Sequence, residues 1–218
     1  MPSKINLRVG HHLSRWLAFA LLLLLSPTLA FAQKPNVISE TGQDRFQTAF
    51  PAGGQLRMHI RSSGVRISGS NENKIVIRFS VPSRDALNDV RVQLKQRGNR
   101  GDLDITGGPS NNFQIDIDIP RQSDLYVRMF AGELDIDHVD GNKDLEIHAG
   151  QMDISLPNAN DYGPVKTSVT TGDLEASAYG VSKGGLFRSF RSNTVPNKNS
   201  AGKYFLYAHV GAGELDIN

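Results

Sequence analysis

A six-residue phrase built around glycine recurs in the second half of the chain and constrains its fold more than any other sequence feature. It reads AGELDI at 131–136, AGQMDI at 149–154, TGDLEA at 171–176 and AGELDI at 212–217. Its glycines stand 18, 22 and 41 residues apart, so the last spacing is about two repeats. Looser relatives begin at Gly64 and Gly101. A unit that recurs every roughly twenty residues indicates a stacked repeat fold.

Each unit has the pattern strand, glycine, strand. In residues 144–157, apolar and polar residues alternate up to Ala149, and the alternation resumes in a shifted phase at Met152. Period-two alternation predicts pleated strands with one buried face. A glycine at the phase shift is typical of a bulge or bend where a side chain would clash or force an unfavourable φ. Because one unit cannot bury its apolar face alone, the chain is predicted to be an all-β, single-domain β-solenoid of strand-Gly-strand rungs of roughly 20 residues.

The rest of the chain mostly follows the same alternation. Residues 83–96 fit both a helical stripe and a strand, and we interpret them as a short helix or loop that runs into a strand. Residues 180–203 lack the repeat pattern, and we interpret them as an exposed loop that accounts for the doubled last spacing.

The first 32 residues have the layout of a secretory signal peptide. Three basic residues precede the apolar run at 16–25, and Ala30-Phe31-Ala32 supplies a small-residue cleavage site. The run is about ten residues, short of the roughly twenty that a spanning helix needs. We therefore predict a signal peptide at 1–32, a leader at 33–47 and the β-solenoid domain at 48–218. This assignment implies an exported protein of the periplasm, cell surface or extracellular space, with no membrane span after cleavage.

Charge and cysteine content limit the partners of the exported chain. Cleavage would remove 3 of the 24 basic residues and leave 21 against 22 acidic residues. A near-neutral chain gives no reason to expect nucleic-acid binding. The absence of cysteine means that no disulfide supports the fold, so stability must come from burial and backbone pairing.

Acidic residues occupy the outward positions after the repeated glycines. They are Glu133, Asp135, Asp153, Asp173, Glu175, Glu214 and Asp216, with Gln151 as an interruption. Stacking would place equivalent positions about 4.8 Å apart. One hypothesis is that carboxylate oxygens in this column bind a hard cation such as Ca²⁺. The other hypothesis is that duplication copied solvent-facing acids together with the glycine. It predicts no metal site and no cofactor, and the absence of a calcium-loop signature favours it.

A second candidate site lies in the stretch GGLFRSFRS at 184–192. Its aromatic and basic side chains suit contact with a sugar, an anionic polymer or a membrane surface. The partner-binding candidates are Leu186, Phe187, Arg188, Phe190 and Arg191. The same residues suit a plug that covers the end of the core. The final strand, ending at Asn218, is predicted to have an exposed edge that residues 180–203 cover or that supports self-association.

No motif points to catalysis. The chain has no nucleophile motif, phosphate-binding glycine loop or zinc-ligand spacing. Acid pairs serve glycoside hydrolysis, but the acids here fall at repeat-equivalent positions. We therefore expect a non-enzymatic protein and keep a carbohydrate-active β-helical enzyme as the third alternative.

With these glycine-acid-Leu-acid-Ile units, a signal peptide and the opening FPAGGQLRMHIRSSGVRISG at 50–69, the chain resembles the bacterial putative-adhesin family of exported β-solenoids. The resemblance covers residues 48–218 and carries no catalytic residues. It implies a binding or structural module of the cell envelope whose partner is an envelope or surface polymer or protein. The alternative is a partner domain in envelope-stress or cell-wall sensing.

Overall fold

The structure, a computed structural model, describes residues 35–192 and 202–218, which contain twelve strands in a single sheet. The strands are β1 Asn36–Thr41, β2 Arg45–Ala49, β3 Gly54–Ser70, β4 Lys74–Ser80, β5 Arg91–Arg97, β6 Arg100–Thr106, β7 Gln114–Pro120, β8 Ser123–Asp137, β9 Lys143–Ser155, β10 Tyr162–Ala176, β11 Val181–Ser192 and β12 Tyr204–Ile217. Short 3-10 helices lie at Arg84–Leu87, Ala159–Asp161 and Ser177–Tyr179. None of the helices in these ranges has the length and hydropathy needed to cross a lipid bilayer.

The sheet is organised around the long strand β3. Its main path runs β1-β5-β6-β3-β8-β9-β12-β10-β11, and a branch joins β2, β4 and β7 to β3. The first half of β3 pairs with β6, its second half pairs with β7, and both halves pair in parallel with β8. The strands from β3 through β8, β9, β12 and β10 are parallel and in register, whereas β11 is antiparallel to β10.

The repeated glycines lie side by side across these parallel strands. Gly132 pairs with Gly150, Gly150 with Gly213, and Gly213 with Gly172. Their φ angles lie between +126° and +138°, a range that L side chains rarely adopt. A Cβ built on Gly150 would overlap the backbone carbonyl of Gly132. The sequence-based explanation of the phrase, a bend that tolerates no side chain, is confirmed.

Both halves of each bent strand contribute to one hydrophobic core. In β8, Leu125 and Val127 before the bend and Leu134 and Ile136 after it are all at most 1% exposed. They belong to the same cluster of buried side chains. The predicted phase shift at the glycine therefore keeps the apolar side chains of both halves inward and the polar ones outward.

The all-β class is confirmed, but the solenoid is not. In a solenoid, successive units stack in chain order, and β10 would then lie beside β9. Here β12 lies between β9 and β10, and the single sheet remains unclosed. The phrase thus stacks in register, but the third and fourth copies exchange their places.

The expectations for the final strand and for residues 180–203 require correction. Both edges of β12 are paired, one with β9 and the other with β10. The prediction of an exposed edge is therefore wrong, and self-association through that strand has no free edge to use. Residues 181–192 are not an irregular loop but form β11, which extends the sheet at the edge of β10. Residues 193–201 lie outside the described ranges.

Two other segments are now placed. Residues 84–87 form a 3-10 helix and residues 91–97 form β5, which confirms the helix-into-strand interpretation. Part of the proposed leader lies in the sheet, since β1 pairs with β5 and β2 pairs with β4. The signal-peptide prediction falls on residues 1–32, outside the described ranges, and stays a prediction.

Candidate functional site

The outward side chains that precede the glycine bends form one surface, which we call the front face. In-register pairing aligns them in rows across β3, β8, β9, β12 and β10. One row is Arg57, Tyr126, Asp144, Tyr207 and Lys166, and the next is His59, Arg128, Glu146, His209 and Ser168. Because alternate residues of a strand point to the same side of a sheet, both rows face outward together. The front face thus combines aromatic rings with charges of both signs.

A groove of about 400 Å³, the aromatic groove, opens on the front face between β6, β3, β8 and β9. The ring of Phe130 is stacked on that of His148, with the ring centroids 5.4 Å apart, and Phe130 is 63% exposed. An exposed phenylalanine at the rim of a groove is more informative than scattered surface apolar residues, because it offers a flat apolar surface to a ligand.

Ion pairs hold the polar wall of the aromatic groove in place. Arg128 lies 2.8 Å from Asp144 and 3.4 Å from Glu146, and it also donates to the Asp144 carbonyl at 2.9 Å. His59 lies 3.4 Å from Asp104 on the other side of the groove. These partly exposed charges keep donors and acceptors at fixed positions beside the aromatic ring, an arrangement that orients polar ligands in binding sites.

The front face continues past β9 in a second groove of about 290 Å³. Here the Ser168 hydroxyl and the His209 Nδ1 are 2.9 Å apart. The ring of Tyr207, 40% exposed, stacks on that of Phe205 with the centroids 4.7 Å apart. The aromatic and polar character therefore extends over most of the front face.

The predicted acidic column forms a separate surface beyond the glycine bends, which we call the acidic face. The structure brings all seven acids together there: Glu133, Asp135, Asp153, Asp173, Glu175, Glu214 and Asp216 lie in register on β8, β9, β12 and β10. Gln151 donates to Glu214 at 2.9 Å, and Arg66 of β3 pairs with Asp135 at 3.3 Å. Partial burial, then the charges of Asp216 and Asp135, raises the pKa of Asp153.

The acidic face contains a shallow depression of about 110 Å³. Within residues 35–192 and 202–218, no group of three or more histidine, aspartate or glutamate side chains is arranged to hold a metal ion. The proximity of the carboxylates is confirmed, and the binding of calcium stays a prediction.

The second predicted site lies on β11, at the edge of the sheet. Leu186 is 60% and Phe187 80% exposed, and Arg188 is exposed beside them. Phe187 has a φ of +53°, unusual for a bulky residue. Phe190 and Arg191 pair with Thr167 and Lys166 of β10, and their side chains are outside the described part. The predicted exposure of the first three side chains is confirmed; their binding role stays a prediction.

The repeat pattern did not reveal the aromatic groove or a buried lysine. Phe130 occupies the outward position just before the Ala-Gly of the phrase, where the other strands carry smaller or polar residues, so a comparison of the repeats would have isolated it. Lys143 is 0% exposed and stands at an inward position that alternates with Leu145 and Ile147. This inward position in the alternation was the signal. A lysine there implies a buried partner, since lysine is almost never fully buried without one.

No family model matches the chain, and no curated protein matches it. A solved structure of a putative cell adhesion protein from Clostridium sporogenes is similar over 84% of this chain and 99% of its own, with a TM-score of 0.49 and 14% identity. Membership of the putative-adhesin family therefore stays a prediction.

Proposed function

We propose that this chain is an exported, non-catalytic binding module of the cell envelope that holds a glycan on its front face. The proposal joins the secretory layout of residues 1–32 and the resemblance to the putative-adhesin family with the chemistry of the aromatic groove. The observation that carries it is the exposed ring of Phe130, stacked on His148 beside paired charged side chains.

The groove suits a sugar because a sugar ring has an apolar C–H face and a polar edge of hydroxyls. The ring of Phe130 offers a flat surface for the apolar face. Arg128, Glu146 and Asp104 provide donors and acceptors for hydroxyls at the edge. Their ion pairs fix them before a ligand arrives, which lowers the entropy cost of binding.

The same ion pairs support a binding role over a catalytic one. Glycoside hydrolysis needs one carboxyl group that gives up a proton and a second that attacks or activates water. Asp144 and Glu146 both pair with Arg128, and Asp104 pairs with His59. These carboxylates are engaged with basic side chains, which hold them in place as acceptors for the hydroxyl groups of a sugar.

The test is binding of the purified protein, produced from the full chain, to immobilised neutral and acidic polysaccharides by biolayer interferometry. We expect at least one polysaccharide to bind, with an affinity about tenfold lower in Phe130→Ala. Phe187→Ala is the matched control, because it removes an even more exposed phenylalanine from another surface. No bound polysaccharide, or equal binding by Phe130→Ala and the wild type, would contradict the proposal.

A second candidate function is that of a protein-partner domain, as in envelope-stress or cell-wall sensing. The observation in its favour is β11, an edge strand with two exposed apolar side chains, Leu186 and Phe187. An exposed edge offers backbone donors and acceptors to a strand of another protein. In that case Phe187→Ala would weaken capture of an envelope protein, and Phe130→Ala would leave that capture unchanged.

A further inference from the structure

A third groove borders the aromatic groove on the front face and is strongly basic. We call it the basic groove; its volume is about 320 Å³, and it lies between β5, β6 and β3. Its charged lining consists of Arg57, Lys95, Arg97, Arg100 and a single carboxylate, Asp102. The volume is at the lower end of the range for small-molecule sites.

The one carboxylate of the basic groove does not balance its four cations. Asp102 lies opposite Lys95 of β5 and Arg57 of β3, whereas Arg97 and Arg100 lie opposite no acid. Across residues 35–192 and 202–218, no ion pair joins any of its four cations to a carboxylate. Arg97 and Arg100 lie directly opposite each other on β5 and β6, and like charges in that position destabilise a sheet. A bound anion would offset this repulsion.

One of the four cations is held in place by the front face itself. The guanidinium carbon of Arg57 lies 5.6 Å from the centroid of the Tyr126 ring, within reach of a cation–π contact. A guanidinium presents a planar set of donors that matches carboxylate, phosphate and sulfate oxygens. The groove therefore has the chemistry of an oxyanion site.

The basic and aromatic grooves form one continuous track. Both are lined by β3 and β6: Arg57 and Asp102 belong to the basic groove, and His59 and Asp104 belong to the aromatic one. Residues two apart on a strand are about 7 Å apart and point to the same side. A chain molecule that leaves one groove along β3 therefore enters the other.

We propose that the ligand of the front face is an acidic glycan, whose sulfate, phosphate or carboxylate groups lie in the basic groove while a sugar ring stacks on Phe130. This inference rests on the proposed function and adds the class of ligand. A neutral glycan would leave the excess positive charge of the basic groove unmatched, and a simple anion would leave the aromatic groove empty.

The test compares dextran sulfate with uncharged dextran of the same chain length, with affinities measured by biolayer interferometry. We expect the wild type to bind dextran sulfate at least tenfold more tightly than dextran, and the preference to fall as salt is raised. Arg97→Gln with Arg100→Gln should lower the affinity for dextran sulfate about tenfold. Arg45→Gln with Arg84→Gln removes the same charge from exposed positions outside the groove and should leave that affinity unchanged.

The outcomes separate this inference from the function on which it rests. If Phe130→Ala weakens binding but the Arg97/Arg100 variant does not, the glycan site stands and its acidic specificity is overturned. An equal loss of affinity for dextran sulfate in the two double variants would show that net charge alone causes the preference. That result would also overturn the acidic specificity of the site. If the Arg97/Arg100 variant loses affinity while Phe130→Ala binds dextran sulfate normally, the sugar platform is wrong, and both proposals fail.

Discussion

The amine of Lys143 lies inside the hydrophobic core, 4.5 Å from the centroid of the Tyr162 ring. It donates to the Val139 carbonyl at 2.7 Å, to the Gly141 carbonyl at 3.3 Å and to the Tyr162 hydroxyl. Burial lowers the pKa of Lys143 to about 7, against the opposing charges of Asp140 and Asp124. The hydrogen bonds of this amine tie the loop before β9 to the start of β10.

The lowered pKa of Lys143 predicts that the free energy of unfolding rises with pH above neutrality. Between the folded pKa of about 7 and the unfolded value of 10.5, the unfolded chain holds a proton on Lys143 that the folded chain does not. Unfolding then takes up a proton, so the free energy of unfolding increases with pH in that window and by up to about 4 to 5 kcal/mol in all. Below pH 7 both states are protonated, and this contribution is flat.

Urea unfolding at pH 7, 8, 9 and 10 measures the slope. Lys143→Met should remove most of it, because the group that titrates is gone. Lys166→Met is the matched control, since Lys166 is exposed, and it should keep the slope of the wild type. Parallel pH profiles for Lys143→Met and the wild type would show that Lys143 keeps an ordinary pKa.

The side-by-side packing of the repeated glycines predicts that two Gly→Ala substitutions differ strongly in their effect on stability. Gly150 has a φ of +137°, and a Cβ there would overlap the Gly132 carbonyl, whereas Gly98 has a φ of +60° with nothing within 4 Å of a Cβ. Gly98→Ala should cost about 1 kcal/mol for the left-handed backbone alone. Gly150→Ala should cost more than about 4 kcal/mol or prevent folding. Thermal melts of both variants test this, and equal costs would count against the in-register packing.

Partial burial of Asp153 and its repulsion by Asp216 and Asp135 predict that Asp153→Asn stabilises the protein. The raised pKa of Asp153 means that the folded state favours its protonated form, so the ionised form weakens the fold above that pKa. Since the side chain is exposed, the gain at pH 7 should stay below about 1 kcal/mol and shrink with added salt. It should vanish as the pH falls through the pKa of Asp153.

Melting curves of wild type, Asp153→Asn and Asp44→Asn check this result, with Asp44 as an exposed acid outside the column. The same curves with millimolar Ca²⁺ address the cation hypothesis. A rise in Tm with calcium that Asp153→Asn abolishes would turn the acidic face into a cation site and contradict the repulsion argument.

The exchanged order of the last strands predicts which cysteine pairs can form a disulfide. Gln151 and Glu214 lie on adjacent strands, whereas β12 separates Gln151 from Asp173. Adjacent strands are about 4.8 Å apart and next-nearest ones about 9.6 Å, while a disulfide needs Cα atoms within about 7 Å. Because the chain has no cysteine, Gln151→Cys/Glu214→Cys should cross-link under mild oxidation and Gln151→Cys/Asp173→Cys should not. Mass spectrometry of unreduced peptides reads the result, and the reverse pattern would restore chain-order stacking.

The buried residues and the bends could be predicted because they follow from the local pattern of apolar residues and glycine. Alternation identified buried residues such as Met152 and Ile154, and the phase shift located the bend at Gly150. These features depend on contacts that every copy of the phrase repeats. The order of the copies does not, because β9, β10 and β12 present the same glycine and equivalent inward residues, so the local pattern fits either neighbour equally well.

The same contrast between local pattern and strand order decides which parts of the candidate site the sequence could predict. The acidic face followed from repeat positions alone. The aromatic groove did not, because it combines Phe130 and His148 with His59 and Asp104, which come from strands distant in the sequence. Only the pairing of β3 with both β6 and β8 brings these side chains together.

Chemical-shift mapping tests the claim that the front face binds the ligand most directly. Isotope-labelled protein would be titrated with a short dextran sulfate oligosaccharide and followed by heteronuclear NMR. We predict shifts that cluster at Phe130, His148 and Arg128, extend to Arg97 and Arg100, and spare the acidic face and β11. Shifts confined to β11 or to the acidic face would contradict the account.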